Sequence, residues 1–204
     1  MPDMNLRNFL LAGLVLCVLV LVIIAFDNPD FRHVVLRNPA IPAIMTLVLV
    51  WNGYATIRWT QDSMVLQDGV KWGLAIGCGW VVVAVVPVSN ELVGPLWFFG
   101  LFTAILLPFA SGAAVAIRTG NAWIGRRVGF WSGVVGGLMG FLVFAVRYFT
   151  NPGEFAVVAA FWAMFFFGSL YGGIAGTVGG WIGLKLYRTG EPPLDATSRS
   201  PLEL

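Results

Sequence analysis

The chain has 204 residues, of which 58% are hydrophobic and 11% charged, with a formal net charge of +2 and a mean hydropathy of +0.84. A water-soluble chain of this composition would lack the polar surface to cover itself. A charge this close to neutral gives no basis for binding nucleic acid.

In chain order the sequence falls into charge-free windows at 8–26, 38–57, 72–90, 92–117, 128–146 and 155–184, and all ten Asp and Glu residues lie outside them. At 1.5 Å rise per residue, each window is long enough to cross a hydrocarbon core of about 30 Å as a helix. The expected fold is therefore an all-α integral membrane protein with six transmembrane helices over 1–187 and a polar tail over 188–204. Gly190, Pro192, Pro193 and Pro201 argue against a folded unit in that tail. The first window follows Arg7 like a signal peptide, but its apolar run exceeds a normal h-region of ~7–15 residues and ends without an A-x-A site. It reads as a retained span. Cys17 and Cys78 sit in separate windows, without CxxC spacing, and read as small apolar fillers.

Orientation follows from the basic residues. Arg7, Arg58, Lys71, Arg118, Arg126, Arg127, Lys185, Arg188 and Arg199 share one side of a six-span chain; Arg32, Arg37 and Arg147 share the other. The positive-inside bias then places both termini in the cytoplasm, in a membrane such as the bacterial plasma membrane. A spacing of about sixty residues separates Gly13, Gly73 and Gly133, and also the Ile57-Arg58 and Ile117-Arg118 pairs. It fits three helical hairpins, either duplicated or recurring because short-looped hairpins have that length.

Glycine placement is the sharpest local signal. Span five carries Gly125, Gly129, Gly133 and Gly137; span six carries Gly168, Gly172, Gly176 and Gly180; span three carries Gly69, Gly73 and Gly77. A four-residue step keeps each set near one helix face and leaves a groove into which another helix can sink, so spans three, five and six are expected to form a glycine-zipper centre. Self-association into a pore is the functional reading of such ladders, and packing within one chain the structural one. Pro39, Pro42 and Pro95 suit first turns of helices, whereas Pro108 lies well inside span four and is expected to kink it.

The windows hold no carboxylate, Lys, Arg or His. Intramembrane hydrolysis would need a nucleophile–base pair or a metal-ligand set, and proton-coupled transport an ionisable group at mid-depth. The candidate intramembrane polar site is Asn52, Ser132 and Thr177; Asn52 could line a solute path, ligate a pigment metal or make an interhelical hydrogen bond. His33, the sole histidine, is expected in a solvated loop and cannot by itself supply paired haem ligands. Trp59, Trp72, Trp97, Trp123 and Trp181 fall near window ends as an interfacial belt, with Trp51, Trp80, Trp131 and Trp162 deeper. Trp162 with Phe161, Phe165, Phe166 and Phe167 makes an aromatic surface suited to lipid tails, a quinone, a pigment or a partner subunit.

No catalytic or metal site is identifiable, and no specific cofactor beyond a bound lipid or other hydrophobic molecule. Elimination leaves a non-catalytic membrane subunit that scaffolds or stabilises a larger complex with other membrane subunits. The alternative is a small transporter or channel for a neutral or weakly charged solute.

Overall fold

A computed structural model describes residues 2–59, 62–85, 93–150 and 168–190. Among these residues the regular elements are all helices: α1 Pro2–Asp27, α2 Pro29–Arg37, α3 Ala40–Trp59, α4 Ser63–Val85, α5 Val93–Thr119, α6 Ala122–Thr150 and α7 Gly172–Gly190. A single π-helical turn at 168–171 leads into α7. Among the described residues three segments, Arg7–Asp27, Phe98–Thr119 and Ala122–Thr150, are long and apolar enough to cross a membrane by length and composition.

The helix starts follow from local chemistry. Asn28 caps α2, its Oδ1 accepting from Phe31 N at 2.9 Å, and Pro29 occupies the first helical position, where a missing N–H costs nothing. This short helix stands where a loop was expected, and the exposed His33 lies on it. Asp62 caps α4 through Val65 N, and Asn121 caps α6 through Trp123 N at 2.9 Å. Asp62 starts α4 well before the charge-free window at 72, because Asp68 and Lys71 lie within the helix. Between α5 and α6 the chain reverses at Gly120, whose φ of 62° is open to glycine without steric cost. At the other end of the chain α7 continues through Arg188 to Gly190, past the boundary expected at 187.

Helix α6 is the axis of the bundle, packed against α4, α5 and α7 and more lightly against α1. Two kinds of surface meet there. On the α4 side the glycines of α4 receive side chains: Gly69 faces the Trp131 Cβ, Gly73 has room for no Cβ because one would lie 2.5 Å from the Val135 Cβ, and Gly77 faces Met139. On the other side backbone meets backbone. A Cβ on Gly172 would lie 2.8 Å from the Cα of Gly133, one on Gly176 2.8 Å from the Cα of Gly129, and one on Gly180 2.6 Å from the carbonyl oxygen of Ala122. Gly125 and Gly129 press on the carbonyls of Gly112 and Pro108 as well as on α7. The carbonyl of the buried Gly168 faces Gly133, and Gly137 is buried within α6.

Helix α5 joins this contact through its run Pro108-Phe109-Ala110-Ser111-Gly112-Ala113, with Gly179 and Gly183 of α7 set against the Phe109 and Ala113 carbonyls. The expected centre of spans three, five and six thus omits a fourth closely packed helix. Helix α5 is continuous through the buried Pro108.

By contrast α1 meets the bundle along one stripe. Leu10, Leu14, Cys17, Leu21 and Ile24 are buried at alternating steps of four and three, while Val15, Leu19, Val22 and Phe26 are exposed. Helix α3 packs on α1 and touches the same core through Met45, Val48 and Leu49.

Candidate functional site

Asn52, Ser132 and Thr177 go to different partners. Asn52, 2% exposed, donates from Nδ2 to the Ser169 hydroxyl at 2.6 Å, while its backbone carbonyl accepts the Thr56 hydroxyl at 2.7 Å. This ties α3 to the turn at 168–171 and leaves the buried Asn52 Oδ1 without a hydrogen-bond partner among the described residues. Ser132 shares a hydrogen bond with Ser111 across α5 and α6 at 3.1 Å, and each hydroxyl also reaches a carbonyl three residues back in its own helix, Gly129 and Pro108. Serine hydroxyls that turn back onto carbonyls of their own helices are short enough to fit between helices whose glycines nearly touch. Thr177 is exposed and donates to the Gly173 carbonyl at 2.7 Å.

Thr177 is part of one wall of a cleft of about 760 Å³. Helix α3 supplies Leu47, Val48 and Trp51; α7 and the turn before it supply Ser169, Leu170, Ile174 and Val178; Phe130 of α6 lies between them. One end is cationic, with Trp123, Arg126 and Arg127 from the first turns of α6. The Arg126 guanidinium lies 4.9 Å over the Trp123 ring, and Arg127 pairs with Asp62 at 3.6 Å. A lining this apolar, with its cationic groups gathered at one end, suits an amphiphilic molecule.

The same end of the bundle carries ion pairs among charges expected in loops. Asp68, nearly buried, pairs with Arg118 of α5 and, at 3.9 Å, with Lys71. With Asp62–Arg127 these contacts join α4 to α5 and to α6. At the opposite end the Tyr148 hydroxyl donates to Asp27 at 2.9 Å, joining α6 to α1. Among the described residues no group of His, Cys, Asp and Glu is arranged to hold a metal ion. Trp80 and Trp131, two of the deeper tryptophans, are buried in the core, whereas Trp51 faces the cleft. The aromatic surface around Trp162, the tail beyond residue 190, and the expected lipid, quinone or pigment contacts there lie outside the described residues.

No protein-family model matches the sequence, and no curated protein or solved structure shows a significant match to it.

Proposed function

We propose that the chain is a six-span integral membrane protein that acts without catalysis, as a subunit scaffolding or stabilising a larger membrane assembly, with both termini in the cytoplasm. The spans would be α1, α3, α4, α5, α6 and the window at 155–184, with α2 between the first two. The observation that carries this reading is the backbone contact of α5, α6 and α7 at Gly112, Gly129, Gly133, Gly172 and Gly176. Close backbone packing of this kind leaves no room for side chains between α5, α6 and α7 at these glycines, and the buried polar pair beside them, Ser111 and Ser132, is neutral. Nine basic residues against three support the orientation.

A test of orientation is cysteine labelling from outside in a Cys-less background. Positions introduced at Glu91 and Glu154 should react and those at Asp62 and Asn121 should not; the reverse pattern would invert the assignment. Deleting residues 190–204 should weaken co-purification of partner subunits while leaving the bundle intact.

The cleft between α3 and α7, with Asn52 buried beside it, favours a second reading as a small transporter or channel for a neutral or weakly charged solute. Recovery of a partner-free monomer from native membranes, with solute flux in liposomes abolished by Asn52→Leu, would establish that reading and sink the first.

A further inference from the structure

The cleft has the length, polarity and charge of a site for one lipid molecule. Gly176 packs on Arg126 and Gly129, and Gly133 on Gly168 and Gly172, so α6 and α7 run antiparallel and the cleft extends from Trp123 to the level of Ser169, opposite Gly133. Ten residues of helix are about 15 Å, half of a hydrocarbon core of about 30 Å. It therefore covers the depth of one leaflet. Its volume of about 760 Å³ falls among sites that bury most of a small molecule, for which ~300–1,000 Å³ is usual.

Charge is confined to the mouth. Arg127 is already matched by Asp62 at 3.6 Å. Arg126 has no carboxylate within ion-pair distance among the described residues, and its contact there is the Trp123 ring. Tryptophan and arginine side by side at one end of an apolar trough place a headgroup-level ring and an unneutralised cation above a path for hydrocarbon. A neutral hydrophobic cofactor would leave that cation unanswered. A second copy docked symmetrically at the mouth would bring a second Arg126 against the first.

We propose that this cleft holds one anionic phospholipid of the cytoplasmic leaflet, with its phosphate at Arg126 and an acyl chain running past Phe130 and between Val48 and Ile174. The proposal rests on the six-span, termini-inside placement above and not on the subunit role.

The test is native mass measurement of the purified full chain with phosphatidylglycerol or phosphatidylcholine added at equal concentration. The parent should retain phosphatidylglycerol in preference. Arg126→Gln should weaken that retention about fivefold, the effect of one surface cation, and weaken phosphatidylcholine retention less, because its choline already offsets the phosphate. Arg126→Lys should restore it. Ile174→Trp, which fills the apolar part, should lower retention of both lipids. Equal retention of the two lipids by the parent, or indifference to Arg126→Gln, would overturn the proposal. So would stronger phosphatidylglycerol binding after deletion of 191–204, which would identify the tail as the occupant. Lipid preference that follows Arg126 in a chain that purifies without partners would uphold the lipid site and end the subunit reading alone.

Discussion

Helices α1 and α6 are both long and apolar enough to cross a bilayer, and they are used in opposite ways. In the apolar window of α1 17% of residues are buried, in that of α6 83%, although α1 is the more apolar of the two. Helix α1 is built of Leu, Val and Ile and commits one stripe to the bundle; α6 alternates glycine with Val, Phe and Trp and is enclosed by α4, α5 and α7. The ranking by hydrophobicity that finds the core of a soluble protein is inverted here. Lipid tails solvate leucine as well as a neighbouring helix does, so what draws helices together is close approach, and close approach needs small side chains.

Placing a charge on each helix breaks the comparison most sharply. Leu19→Lys, on the exposed side of α1, should disfavour insertion by about 2.5–3.5 kcal/mol if that face meets lipid, measured as the inserted fraction in a membrane-integration assay. An unchanged fraction would mean that water or another protein covers the face. Enlarging the glycines comes next. Gly133→Leu or Gly176→Leu forces a side chain into the backbone of a neighbouring helix and should destabilise by about 1–3 kcal/mol or more, read as an earlier thermal transition in detergent. Variants as heat-resistant as the parent would place those faces on lipid. Cutting the hydroxyl pair is smaller: a double-mutant cycle of Ser111→Ala and Ser132→Ala should give a coupling of about 0.6 kcal/mol, the average for hydrogen bonds between membrane helices. Smallest of all, Leu19→Ala should change stability by less than about 0.5 kcal/mol. A large loss there would show that α1 has a partner on its open side.

The sequence made part of this legible. The four-residue glycine step is a property of one helix and can be read without knowing its neighbours, which is why the faces of Gly125, Gly129 and Gly133 and of Gly172, Gly176 and Gly180 stand out. What those faces meet is not local. Gly69, Gly73 and Gly77 accept side chains where α7 accepts backbone, and nothing in their spacing distinguishes the two. Helix α5 lacks the glycine step, since Ala and Ser serve as the small residues of its Ala110-Ser111-Gly112-Ala113-Ala114 run; a count of all small residues would have found it. The start of α4 was hidden because Asp68 and Lys71 end a charge-free window, whereas in the fold Asp68 is answered by Arg118, fifty residues away. Helix α2 carried a readable signal, Asn28-Pro29, at the cap and first position. The partner of Asn52, 117 residues along the chain, carried none, and neither did a cleft assembled from α3, α6 and α7.

The glycine face of α6 also sets a clock on synthesis. When Thr150 is made, α4 and α5 already exist to cover part of the helix, but the face that receives Gly172, Gly176 and Gly180 has no occupant until the chain reaches Gly190. At ~5–20 residues per second, the roughly forty intervening residues take ~2–8 s. For that interval a groove shaped for glycine backbone stands open, and the α7 of another nascent copy fits it as well as the chain's own. Slow codons between positions 150 and 190 should therefore raise the yield of exchanged dimers, a cost of late closure that falls on α6 and spares α1.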